Sequence, residues 1–126
     1  MTVKDFYSML FGDFVLSEFN LFFGEHLSGT EAGGMPLERR TAAYMAYVYI
    51  MEINGETEEK SLEPAFVLKD IYECPSCIRY VAEVYLKGIM PGKNGIFGVR
   101  EKVTEAEAEG IVGRIKNKSK RFCFSE

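Results

Sequence analysis

Apolar residues crowd the start of the chain. Phe6, Met9, Leu10, Phe14, Val15, Phe19, Phe22 and Phe23 fall within residues 4–23, and so wide a stripe predicts a helix buried on more than one side, central to the core. The pattern breaks over residues 24–35, where Gly24, Gly29, Gly33 and Gly34 predict a loop. Pro36 is placed to open the next helix, because a first helical position needs no N–H donor. Ala42, Ala43, Met45, Ala46, Ile50 and Ile53 then recur at helical spacing over 37–53, with Tyr44, Tyr47 and Tyr49 widening the face. Asn54–Gly55 supplies a left-handed stop.

Polarity rises over 55–67. Glu56, Glu58 and Glu59 read as solvated surface, and Pro64 argues against a helix through this linker. A third helix is expected to begin at Pro75. Ile78, Val81, Ala82, Tyr85, Leu86 and Ile89 form its stripe, and Gly88 and Pro91 end it. Residues 91–100 form a tight glycine loop in which Phe97 is expected to plug the core and Asn94–Gly95 to turn the chain, a pair that equally suits a hairpin. A fourth helix opens with a capping box, Thr104 at the N-cap and Glu107 three residues on, flanked by Val103 and Ala108 as a hydrophobic staple. Ile111, Val112 and Ile115 form its buried stripe. Lys116, Lys118, Lys120 and Arg121 complement its negative end. The tail Phe122–Cys123–Phe124 either folds back or frays.

The plan occurs twice. Val103–Ile115 aligns with Leu37–Tyr49, each after a glycine loop that itself follows an apolar helix, and Leu27–Ser28–Gly29 corresponds to Met90–Pro91–Gly92. The expected architecture is all-α: two helix–loop–helix repeats packed as one small bundle, the first over 1–55 and the second over 56–126.

At these residues the chain resembles the S-layer homology family. A repeat there opens Phe-x-Asp-Val, closes its first helix with Gly-Ile, carries a Gly-x-x-Asp-Gly-x-Phe loop and begins its second helix Ile-Thr-Arg-Ala-Glu. Residues 68–115 match in order: Leu68-Lys69-Asp70-Ile71, then Gly88-Ile89, Gly92-Lys93-Asn94-Gly95-Ile96-Phe97, and Val103-Thr104-Glu105-Ala106-Glu107. In the first unit Leu37-Glu38-Arg39-Arg40-Thr41 keeps the arginine. The resemblance implies an all-helical binding module for anionic cell-wall polysaccharide, with ligand contacts from Arg39, Asp70, Gly92, Lys93, Asn94, Gly95 and Thr104. Glycine loops and helix N-termini suit an anionic sugar, and an arginine offers a two-pronged carboxylate contact. Glu105 stands where the motif has arginine, Ser76 where it has an aromatic, and two units stand where the family usually has three.

Composition narrows the alternatives. At 126 residues the chain is long enough for one core without metal or disulfide support. A net charge of -4 offers no general attraction to nucleic acid. Asp5, Asp13 and Glu18 interrupt the N-terminal apolar run, so neither a signal peptide nor membrane insertion is expected. A chain complete as given is expected in the cytoplasm; the family role would place it at the cell surface.

The three cysteines do not form a secreted framework. Cys74 and Cys77 are expected as a reduced pair capping a helix; a redox pair, or zinc held with Cys123 and His26, are the alternatives. His26 is a lone histidine without a nucleophile beside it, Glu105, Glu107 and Glu109 point in different directions on a helix, and no phosphate-binding loop follows a strand. No enzyme and no cofactor is expected. The readings are therefore glycan binding, or reuse of the same scaffold for protein–protein contact or homo-oligomer assembly, motivated by Glu105, the thiols and the surplus of Phe and Tyr.

Overall fold

A computed structural model describes residues 1–12 and 35–122. Among these the chain is all-helical, with four α-helices, short 3-10 turns and no strand. Helix α1 spans Val3–Phe11. Thr2 caps it reciprocally: the Asp5 N–H donates to the Thr2 hydroxyl and the Thr2 N–H to the Asp5 carboxylate, each at 3.1 Å. Val3, Phe6, Tyr7 and Leu10 lie on one face and are buried. The helix does not run on through 4–23 as the apolar pattern suggests. Gly12, at φ 97°, turns the chain out of it, in a conformation that side chains beyond glycine resist. Residues 13–23 of that expected helix, and nearly all of the loop 24–35, lie outside the described residues.

Helix α2 spans Arg39–Glu52 and buries Ala42, Ala43, Met45, Ala46 and Ile50. Pro36 does not begin it. The segment 35–37 is extended and bridges Thr2: the Val3 N–H donates to the Met35 carbonyl (3.0 Å) and the Leu37 N–H to the Met1 carbonyl (3.1 Å). Pro36 occupies the bridge position whose N–H would point away, so its missing donor costs nothing. Gly55, at φ +68°, completes the stop after α2.

The next helix start repeats this bonding. Glu38 bridges Lys102, the Arg39 N–H donates to the Glu101 carbonyl and the Val103 N–H to the Leu37 carbonyl, both at 2.8 Å. The N-caps Thr2 and Glu38 thus each pair, through like-bonded bridges, with the residue two before the next cap: Pro36 before Glu38 and Lys102 before Thr104. Helix α4 spans Glu105–Lys116, and α1, α2 and α4 each touch the other two.

Only part of the acidic linker leaves solvent: the Glu56 side chain is buried, whereas Glu58 and Glu59 stay exposed as expected and find partners at the surface. Glu56 meets Arg121 at two 2.8 Å contacts, Glu58 meets Tyr47 and Arg79, and Glu59 meets Lys87 at 2.6 Å. Burial of the cations explains the pull: Lys87 and Arg121 need countercharges close by. Glu83 accepts the Glu59 N–H and pairs with Lys87 at 3.2 Å. Pro64 lies within a 3-10 turn, Glu63–Val67.

Two more 3-10 turns, Ile71–Glu73 and Pro75–Cys77, precede helix α3, Ile78–Leu86. Its core face includes Val81, Ala82 and Val84, with Ile78, Tyr85 and Leu86 only half-buried. Gly88 ends the helix at φ +74°, and a Cβ there would lie 2.2 Å from the Phe122 carbonyl oxygen. The tail does return this far, because the Phe122 N–H donates to the Gly88 carbonyl at 2.9 Å. No described helix is long and apolar enough to cross a membrane.

Candidate functional site

The loop after α3 is shaped by one carboxylate. Asp70 accepts the N–H groups of Phe97 (2.8 Å), Gly98 (2.7 Å) and Val99 (3.1 Å) and is 7% exposed. Burial pushes its carboxyl up, and the three amides outweigh that, leaving it below the ordinary aspartate value. Asn94 and Gly95 turn the tip at φ 56° and 78°, between the paired residues Lys93 and Ile96. That is the hairpin alternative, realised as a two-residue turn. Phe97 is buried beneath the loop as expected, whereas Ile96 faces outward.

Arg39 holds the loop from the other side. Its Nε donates to the Phe97 carbonyl (2.7 Å), one terminal nitrogen to the Pro91 carbonyl (2.6 Å), and the other pairs with Glu107. The guanidinium also lies 4.7 Å from the Phe97 ring centroid. Burial lowers its pKa from the ordinary arginine value. Glu107 therefore does not complete the capping box: Thr104 accepts the Glu107 N–H at 3.2 Å, while the Glu107 carboxylate serves Arg39.

A cleft of about 390 Å³ opens over this cluster. Arg39, Gly92, Lys93 and Asn94, all expected from the sequence, line it together with Ile96, Glu101, Lys102 and Glu107. Among the described residues Lys93 and Lys102 meet no carboxylate, and Glu101 lines the same cleft without an ion pair. The wall therefore keeps a net positive charge of one beside the N-terminus of α4 once Arg39 and Glu107 cancel.

Of the other expected contacts, Asp70 lies behind the loop and lines a second cavity of about 380 Å³ with Lys69, Glu73, Arg100 and Glu101. Gly95 sits at the turn tip and Thr104 at the α4 cap; neither lines either of these two cavities. Glu105 lines neither cavity as well, so its reversed charge lies outside the cleft. The glycines serve the fold: a Cβ on Gly92 would lie 2.7 Å from the Leu68 side chain.

Lys102, Glu101, Lys69, Glu73 and Arg100 were not expected at the site. The one signal for Lys102 is its place directly before the Val103–Thr104 helix start.

Cys74 and Cys77 are joined as a disulfide, not held as a reduced pair. The 3-10 turn brings their Cα atoms to 5.2 Å, within disulfide reach. His26 and Cys123, the other two zinc candidates, lie outside the described residues, and no group of three His, Cys, Asp or Glu suited to a metal exists among the described ones. No family model matches the chain, and no curated protein or solved structure matches it either.

Proposed function

We propose that the chain is a non-catalytic module, similar to the S-layer homology family, that binds anionic cell-wall polysaccharide in the cleft between the start of α2 and the 91–97 loop. One observation carries the reading. Arg39 from the first unit and Gly92, Lys93 and Asn94 from the second line a single cleft. Lys93 and Lys102 are the ligand-facing cations, and Arg39 with Glu107 builds the floor beneath them. An acidic sugar fits this wall because unpaired ammonium groups attract a carboxylate without first breaking an ion pair.

The test is co-sedimentation of the full chain with purified cell-wall sacculi. Retention at low salt is expected, weakening as ionic strength rises. The double variant Lys93→Ala/Lys102→Ala should lose about tenfold in affinity, with its circular dichroism unchanged. No retention at low salt refutes the proposal.

A second reading, protein–protein contact, has its own support. Phe66, Val67 and Tyr72 are 42%, 61% and 61% exposed, and the Phe66 and Tyr72 rings lie 5.9 Å apart. It expects self-association that Tyr72→Ser weakens; a monomeric sedimentation profile at every concentration speaks against it.

A further inference from the structure

We infer that the Cys74–Cys77 disulfide is a redox latch on the loop that walls both cavities. The latch and the loop are joined through Asp70. Asp70 precedes the Ile71–Glu73 turn, which runs directly into Cys74. Its carboxylate is the acceptor for three consecutive loop amides, Phe97 to Val99. Gly98 and Val99 line the second cavity, and the Phe97 carbonyl anchors Arg39 on the floor of the first. One rigid path therefore leads from the disulfide to both cavities.

Fully buried Ile71 and the Lys69 N–H, which donates to the Gly95 carbonyl at 2.8 Å, anchor the start of the segment; from Tyr72 to Cys77 the hold is thinner. The two turns are closed by single backbone bonds, Glu73 N–H to the Asp70 carbonyl (3.0 Å) and Cys77 N–H to the Cys74 carbonyl (2.8 Å). Tyr72 and Glu73 between them are exposed. Short 3-10 turns open readily, so the covalent link restrains the stretch after Ile71 and adds to the hold on Asp70.

The chemistry is thiol–disulfide exchange with a dithiol as co-reactant. One thiolate of the dithiol attacks a protein sulfur, the Cys74–Cys77 bond breaks, and a mixed disulfide forms. The second thiolate then displaces the protein sulfur. Two electrons and two protons pass to the chain, which gains two thiols, and the dithiol leaves as its disulfide. Both sulfurs belong to residues just beneath the surface, Cys74 at 9% and Cys77 at 8% exposure. The loosening of the loop stands on geometry alone; its effect on polysaccharide retention rests on the function proposed above.

Amide hydrogen exchange of the full chain, before and after dithiothreitol, tests the latch. Thiol titration should show two additional thiols per chain on reduction. The amides of Phe97, Gly98 and Val99 should then exchange about tenfold faster, while Met45 and Ala46 in α2 stay unchanged. Cys74→Ser/Cys77→Ser should show the fast pattern at the outset and ignore dithiothreitol. Unchanged exchange at 97–99, uniform acceleration along the whole chain, or no new thiols each overturns the inference. Sacculus retention read in parallel should fall on reduction. An oxidised chain that is not retained refutes the polysaccharide reading and leaves the latch to be judged by exchange.

Discussion

Removing the Glu56 charge should erase a defined part of the protein's acid sensitivity. The carboxylate accepts two 2.8 Å bonds from Arg121, and both side chains are at least nine-tenths buried, at 8% and 10% exposure. Arg121 pulls its carboxyl from an ordinary 4.5 down to about 2; burial opposes this, and Asn54 assists it at 2.9 Å. A carboxyl depressed in the folded state stabilises it above the unfolded value and ceases to do so as pH falls through the folded value. The window here runs from about pH 5 down to about pH 2. At about 1.4 kcal/mol per pH unit, the contribution is of order 3 kcal/mol at neutral pH. Asp5 and Asp70 are also held low and titrate at acid pH, so the parent alone does not isolate Glu56. The difference between the parent and Glu56→Gln does. Urea unfolding at pH 7 should show Glu56→Gln less stable by about 2–3 kcal/mol, and the gap should close to below about 1 kcal/mol at pH 2.5. A gap that stays constant across that range would mean that Glu56 acts by shape and hydrogen bonding rather than by charge.

Other perturbations have equally definite expectations. Asp70→Asn keeps the shape but turns charge-assisted bonds into neutral ones and aims an amide group at backbone donors; it should cost about 2–3 kcal/mol in chemical denaturation. Thr104→Ala removes the acceptor for the Glu107 N–H and should cost about 1 kcal/mol, read as a lower melting temperature with affinity for sacculi unchanged. Glu107→Gln leaves the Arg39 guanidinium partly buried without its countercharge; it should destabilise by about 2 kcal/mol and make the cleft more attractive to anions, measured as retention that survives higher salt.

Local signals in the chain were read correctly where a local cause decides. Gly55 and Gly88 adopt the left-handed conformations that end helices, Thr104 caps α4, and Phe97 fills the core beneath its loop. Misreadings arose where a distant partner decides. Pro36 looks like a helix opener until Met1–Val3 pairs with it as extended chain. Glu56 looks solvated until the buried cation Arg121 arrives from later in the chain. The capping box at Thr2–Asp5 is also a local signal, a threonine and an acid three residues apart. At the site, four expected residues do share a cleft. What local pattern could not supply is the bonding of Arg39, whose donors are taken by Phe97, Pro91 and Glu107. An arginine in a ligand motif and an arginine holding a loop are the same letter, and only the acceptors around it tell them apart.

The contacts of Arg39 also bear on how the protein acquires its surface. They reach across sequence separations of 52, 58 and 68 residues. Closing loops of that length is slow and comes after the local turns of helix have formed. A nascent chain released only as far as α3 would hold a bare arginine and no cleft, because the walls at Lys102 and Glu107 have yet to be made. The cleft should therefore emerge as one of the last events of folding, and any ligand gripped there would select for chains whose synthesis and folding are finished.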